Sequence, residues 1–317
     1  NLFEKFLKMN LKYYLPAFLI EDFKNIKNVI LNSNLPKNPD LILTGTGFTN
    51  EVFNIYNAIQ SSKGIKFACL QHGNCYNTNY VNDFLYEFKI PDYFFSWGEK
   101  KKENQYSTYN FNVVFKKKLN KVNGNLSIFC NSLSNRALPF GMHNINERNF
   151  NYTLDFVQNL DTNIKEKTFF KLMPWDVDNT NEILKIKIMS KNLKLYSENT
   201  SYKKILKKTR LIIFNYDSSG FYENILLNIP SVIFNKYIFE DLKDDCIDDY
   251  KELINANLIF RDKDCLKKHI NRIWSNPLEW WNEKRTREAI NNFNSKYNKN
   301  YKNNLNILQN IIDNATK

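Results

Sequence analysis

The chain has 317 residues, 43% of them hydrophobic and 15% aromatic, and a formal net charge of +12. That length suits two domains with substantial cores, and only eight glycines and eight prolines exclude a fibrous or low-complexity protein. The basic balance favours anionic partners: nucleotide phosphates, acidic glycans, an anionic membrane surface or nucleic acid. Lysine runs such as Lys100, Lys101 and Lys102 also read simply as solvated surface. No apolar run reaches the roughly 18 residues needed to cross a bilayer. Five cysteines with no CxxC pair suit a reduced, cytoplasmic protein, and the charge suits a peripheral place at the inner face of the membrane.

Residues 16–32 carry apolar side chains at helical spacing, with Phe18, Leu19, Phe23, Ile26 and Ile30 on one face. Residues 41–44 predict a strand ending in Gly45-Thr46-Gly47, and Thr49 or Asn50 suits the cap of the helix that follows. Residues 65–70 predict a second strand, entering Gln71-His72-Gly73, and residues 93–97 a third, entering Gly98. Strand, helix and strand in that order imply a parallel sheet with right-handed crossovers. Residues 99–124 are polar and lysine-rich and read as an interdomain linker.

A second series has strands over 126–130, 168–172, 193–196, 210–215 and 231–234, alternating with helices over 147–160, 181–190, 202–208 and 221–227. Beyond Asp241 the pattern is mainly helical, over 249–256, 264–275, 277–292 and 301–314. The implied class is α/β: two Rossmann-like domains, 1–115 and 116–275, facing across a cleft, with helices of 276–317 packing back; a single Rossmann domain with helical additions is the rival plan. The chain begins at Asn1 and its first domain reads as short of strands, which would fit a missing N-terminal portion.

Residues 210–234, RLIIFNYDSSGFYENILLNIPSVIF, read as strand, polar turn, helix, proline and strand. In an open parallel sheet, ligands bind past the carboxyl ends of strands, where helix N-termini present N–H groups. Ser218, Ser219 and the N–H groups of Gly220 and Phe221, following Asn215, are suited to a donor phosphate; Asp217 or Ser218 would equally cap the helix. Glu223, expected on the first helical turn, is placed to accept from ribose hydroxyls. Lys171, with Pro174 beyond it, ends another strand and could neutralise a leaving phosphate. Ser132 and Ser134 follow the 126–130 strand and could donate to the same group.

On the facing domain, His72 is the leading catalytic candidate. It follows a strand, precedes a glycine, and carries an imidazole, the side-chain type suited to taking a proton from a hydroxyl or pairing with a phosphate. Glu51, Glu87 and Asp92 are the carboxylates that could act beside it. Trp97, Trp175, Trp280 and Trp281 could stack on sugar rings, although the spacing of Trp280 and Trp281 favours core packing. The Asp-x-Asp formed by Asp176 and Asp178 reads as a turn and not as a metal motif; metal-independent chemistry without a cofactor is expected.

Three segments carry a resemblance. The first holds Gln71-His72-Gly73, Glu87, Ile90, Asp92, Trp97 and Gly98 in order; the second joins Ser218-Ser219 to Glu223 and Asn228-Ile229-Pro230. The third is Asn276-Pro277 with Trp280-Trp281, leading to Phe293 and Tyr297. Together they resemble a family of transferases from bacterial surface-carbohydrate loci, which implies the GT-B glycosyltransferase plan. That family is similar, more distantly, to transferases that use CMP-linked Kdo or sialic acid. Ser218-Ser219 matches their serine motif, whereas Met173 stands where they carry histidine, and Asn74-Cys75-Tyr76-Asn77 replaces the usual glycine-containing sequence after Gln-His-Gly.

The resemblance implies a glycosyltransferase that moves a sugar from a nucleotide donor, a CMP-linked Kdo-like or nonulosonic sugar first, to a glycan or lipid-linked glycan. A CDP-polyol phosphotransferase of the same fold and a non-catalytic nucleic-acid-binding protein are the competing readings. No nucleic acid is expected as partner, because no RRM, KH or zinc-finger pattern is present.

Overall fold

The computed structural model describes residues 1–15, 21–46, 50–80, 86–113, 123–131, 142–172, 180–189, 193–301 and 304–315. Two parallel sheets organise them. The first has the order β1-β2-β3-β4, formed by Leu41–Thr44, Lys66–Leu70, Tyr93–Ser96 and Gln105–Ser107. All its pairs are parallel. β4 lies inside the stretch read as a linker. It is three residues long and polar, and it is fixed by its neighbours: the buried Gln105 accepts from Lys101 N–H at 2.8 Å and donates to Asn77 at 3.0 Å.

The second sheet comprises β5 (Asn125–Cys130), β6 (Thr168–Leu172), β7 (Lys194–Leu195), β8 (Thr209–Phe214), β9 (Ser231–Phe234) and β10 (Ile259–Phe260). Its spatial order is β10-β9-β8-β5-β6-β7, again wholly parallel. Counted from β5 this is the doubly wound order 3-2-1-4-5-6, which reverses between β5 and β8. Every residue of β8 and β9 is buried, because helices cover both faces of such a sheet. The fold is thus two Rossmann-like domains.

Several helices depart from the pattern read in the sequence. Leu2–Tyr14 is helical, and the apolar periodicity of 16–32 yields a helix over Phe23–Leu31. Asn50 caps Glu51–Ser61 by accepting from Phe53 N–H at 2.9 Å. The single helix expected over 277–292 is two, Pro277–Trp281 and Lys284–Tyr297. The break lets Trp280 and Trp281 both turn inward, where they are 1% and 0% exposed. Trp281 donates at 2.7 Å and Arg287 at 3.0 Å to Asn228, which ends the Ser219–Leu227 helix in the left-handed conformation at φ 59°.

The chain then returns to the first sheet. Lys299 N–H donates to Trp97 O at 2.6 Å and Asn110 N–H to Lys299 O at 3.0 Å. Asn298 is wholly buried between the domains, donating to Tyr222 O at 2.8 Å and accepting from Asn110 at 2.9 Å. Among the described residues, no helix is long and apolar enough to cross a membrane.

Gly98 permits this return. A Cβ there would stand 2.2 Å from Lys296 O and 2.7 Å from Tyr297 Cα. Gly98→Ala is therefore expected to destabilise the protein by about 1–3 kcal/mol, read as a lower urea midpoint.

Candidate functional site

Parallel strands send all their carboxyl ends one way, and here the two sets of ends meet. The loop after β2 reaches the turn after β8. Asn74 N–H donates to the Ser219 hydroxyl oxygen at 3.0 Å, and that hydroxyl donates to Asn74 Oδ1 at 3.1 Å. A Cβ on Gly73 would lie 3.5 Å from Ser219 Oγ, so the approach is close. Cys75, at φ 70°, turns its thiol to Asp217 at 3.5 Å, and Tyr250 donates to the same carboxylate oxygen at 2.5 Å. Residues 78–80 then run along 241–243, with Lys243 N–H on Thr78 O at 2.8 Å and Tyr80 N–H on Asp241 O at 3.0 Å.

A cavity of about 410 Å³ opens at this seam, at the switch point of the second sheet. Its apolar wall is Phe129, Tyr202, Ile205, Phe214 and Tyr216; its polar groups are Asn74, Lys171, Ser218, Ser219, Gly220 and Glu223. Phe129 supports both Tyr202 and Phe214, at ring separations of 5.4 and 5.2 Å. Gly220 leaves room for Phe214, since a Cβ there would come within 2.8 Å of the ring.

The serine turn is tighter than the sequence implies. The helix starts at Ser219, which puts Glu223 on the second turn, not the first. Ser218 is buried and caps the helix, accepting from Gly220 N–H at 3.1 Å through its side chain and from Phe221 N–H at 2.9 Å through its carbonyl. The two N–H groups expected to hold a phosphate are therefore closed onto Ser218, whose carbonyl also accepts from Tyr222 N–H at 3.4 Å. Ser219, a half-buried residue in the cavity wall, is the hydroxyl at the seam.

Lys171 lies in the cavity wall, but its ammonium donates to Ser197 O at 3.0 Å and Glu198 O at 2.7 Å, and burial lowers its pKa. Asn215 is turned away: its side chain accepts from Asn131 N–H at 2.8 Å and so joins the ends of β8 and β5. Ser132, Ser134, Pro174 and Trp175 lie outside the described residues. Burial raises the Glu223 carboxyl to about 7, against a lowering hydrogen bond from Asn112. The same Asn112 side chain donates to His72 O at 3.2 Å, linking the two domains beside the cavity.

His72 is brought to Glu87 but not to Glu51. Its Nδ1 is 3.8 Å from Glu87 Oε2, and buried Tyr76 stands between them, donating its hydroxyl to Glu87 and lying 2.8 Å from His72 Nδ1. A phenol has one proton. With that proton on Glu87, the Nδ1 contact requires Nδ1–H to donate to Tyr76, which leaves the Nε2 lone pair of a neutral ring for a substrate proton. Burial, and then Glu87, raise the Tyr76 pKa, so the phenol stays protonated. Glu51 opens its helix beside Phe23, in a separate groove of about 490 Å³.

Asp92 lies at the opposite, amino-terminal edge of the first sheet, paired with Lys66 at 2.7 Å and accepting from Phe67 N–H at 2.9 Å. A larger cavity of about 760 Å³ opens there, lined by Lys66 and Asp92 and remote from the strand ends. Trp97, read as a sugar platform, is fully buried, as are Trp280 and Trp281. No group of three His, Cys, Asp or Glu side chains comes together as a metal centre among the described residues.

Two parallel Rossmann-like domains meeting at their strand ends define a GT-B fold. Anabaena Alr3699/HepE in complex with UDP and glucose shares it, at 11% identity and a TM-score of 0.53 over 96% of this chain and 83% of that one. TarM does so at 15% identity and a TM-score of 0.51, over 91% of this chain and 57% of that one. No curated protein matches the chain in sequence. The LIC12162 family transferase model matches residues 1–312, and the chain belongs to that family of transferases.

Sequence reasoning missed Asn112, Tyr202 and Tyr216, and it took Tyr76 only as a departure from a motif. The position of Tyr76 four residues after His72 was the available signal.

Glu223 sets a pH dependence. Its pKa is raised from 4.5 to about 7, so the stability it contributes is full below its ordinary value and is lost as pH rises through about 7. Glu223→Gln is expected to flatten the fall in melting temperature between about pH 5 and about pH 8, measured against the unaltered protein in the same buffers.

Proposed function

We propose that the protein is a glycosyltransferase acting on a nucleotide sugar. The observation that carries this reading is the cavity of about 410 Å³ at the β5/β8 switch point, joined through Asn112 to His72 of the facing domain. The nucleotide would lie on the second domain, with its base against the aromatic wall and Glu223 accepting from the ribose hydroxyls. A leaving phosphate would meet the Ser219 hydroxyl, which would exchange its bond to Asn74 Oδ1 for one to the phosphate, near the helix N-terminus, where the helix dipole favours negative charge. The bound UDP and glucose of HepE, in the same kind of fold, support a donor of this class.

The chemistry follows from the hydrogen-bond chain. His72 Nε2 takes the proton of an acceptor hydroxyl while Glu87 and Tyr76 hold Nδ1–H in place. The acceptor oxygen attacks the anomeric carbon, and the bond from that carbon to the phosphate oxygen breaks with its electron pair going to the phosphate. The reaction is proposed to need no metal ion. Within the donor class, the Ser218-Ser219 pair supports a CMP-linked Kdo-like or nonulosonic sugar. The basic charge of +12 supports an acidic glycan or lipid-linked acceptor at an anionic membrane surface on the cytoplasmic side.

A thermal-shift panel of CMP, CDP, UDP and GDP tests the donor site. The cognate nucleotide should stabilise the fold by about 2.7 kcal/mol at 100 times its dissociation constant, and Ser219→Ala should weaken it. Failure of all four to shift the melt would sink the reading. His72→Ala should slow transfer by about 10²–10⁴-fold while leaving nucleotide affinity in place, and EDTA should leave the rate unchanged. A phosphodiester in the product would indicate polyol-phosphate transfer instead.

A further inference from the structure

Every residue lining the seam cavity belongs to the second domain except Asn74. It enters from the loop after β2, and three neighbours fix its side chain. Its Oδ1 accepts from Ser219 at 3.1 Å, its Nδ2 donates to Cys75 Sγ at 2.8 Å, and a hydrogen bond from it lowers the otherwise burial-raised pKa of Asp217. The left-handed backbone of Cys75, at φ 70°, turns the chain immediately after it. Both Nδ2 protons are thereby engaged, and a carboxamide held in this way presents one Oδ1 lone pair as an acceptor at a defined place, with no charge of its own.

Position decides what it meets. A nucleotide held by Glu223 and the aromatic wall is contacted by the second domain alone. The part of the donor that projects across the seam is the group on its phosphate, and Asn74 stands where that group leaves the second domain. We propose that Asn74 is the specificity-determining residue for the transferred group, hydrogen-bonding a hydroxyl-bearing sugar while contributing little to recognition of the nucleotide. This rests on the glycosyltransferase reading above. It goes further by giving the first domain a direct hold on the donor, separate from the proton transfer assigned to His72. A purely structural Asn74, serving only to clasp Ser219, would alter the binding of nucleotide and nucleotide sugar alike.

The experiment compares dissociation constants for two matched pairs, CMP with CMP-N-acetylneuraminate and UDP with UDP-glucose, in the unaltered protein and in Asn74→Ala. For the pair that binds, the sugar should tighten binding to the unaltered protein. Asn74→Ala should erase that gain, a loss of about tenfold for one well-made hydrogen bond, while affinity for the free nucleotide stays within about twofold. Retained nucleotide affinity also shows that the variant folds. A sugar gain unchanged by the substitution, an equal loss for both ligands, or no sugar gain in the unaltered protein would each overturn the proposal. Where the melt panel selects CDP or GDP, that nucleotide and its sugar form the matched pair; failure of the whole panel to bind the unaltered protein would instead remove the donor site, and this inference with it.

Discussion

Parallel strands cannot be joined by hairpins; each needs a crossover that returns the chain to the same end of the sheet. Both sheets obey this throughout. Their loops are thereby sorted into two kinds, those that start strands and those that follow them. The loops that follow strands supply Asn74 and His72 on one side and Asp217 and Ser219 on the other. The chemistry of the seam is a consequence of strand direction, and the amino-terminal edges are left to structural pairs such as Lys66 with Asp92.

The seam itself is polar and closely made. Asp217 has one oxygen buried without a hydrogen-bond partner while the other receives Tyr250, and burial raises its pKa. Glu223, on the same loop and helix, is also raised by burial. Both are half-buried side chains of one turn and helix, and their partial burial is what holds them above their ordinary range. In such surroundings hydrogen bonds are electrostatically stronger than in water, and an unmatched polar group costs more. A ligand entering here is selected by how fully it satisfies the groups already present.

Much of the architecture was legible in the sequence. β5, β8 and β9 announce themselves as short apolar runs because they are covered on both faces, and the order of strands and helices implied the two-domain plan. β4 was illegible, since Gln105–Ser107 has no apolar pattern and owes its extended form to pairing with β3. The break between Trp281 and Lys284 was hidden for a similar reason: it answers to the packing of two tryptophans, which the helical period alone does not register. At the site, residue types pointed to His72, Glu87 and Glu223. The partners that tune them, Tyr76 and Asn112, are ordinary in the sequence and gain meaning only through contacts across the fold.

The chain passes between the domains twice, once after Asn112 and again at Asn298, where a buried carboxamide bonds to both. The return at Asn298 adds backbone bonds to the side-chain contacts of the seam. Parting the domains would therefore break Lys299 N–H from Trp97 O and Lys243 N–H from Thr78 O as well as Asn74 from Ser219, so the cavity edge is fastened from both ends of the second domain.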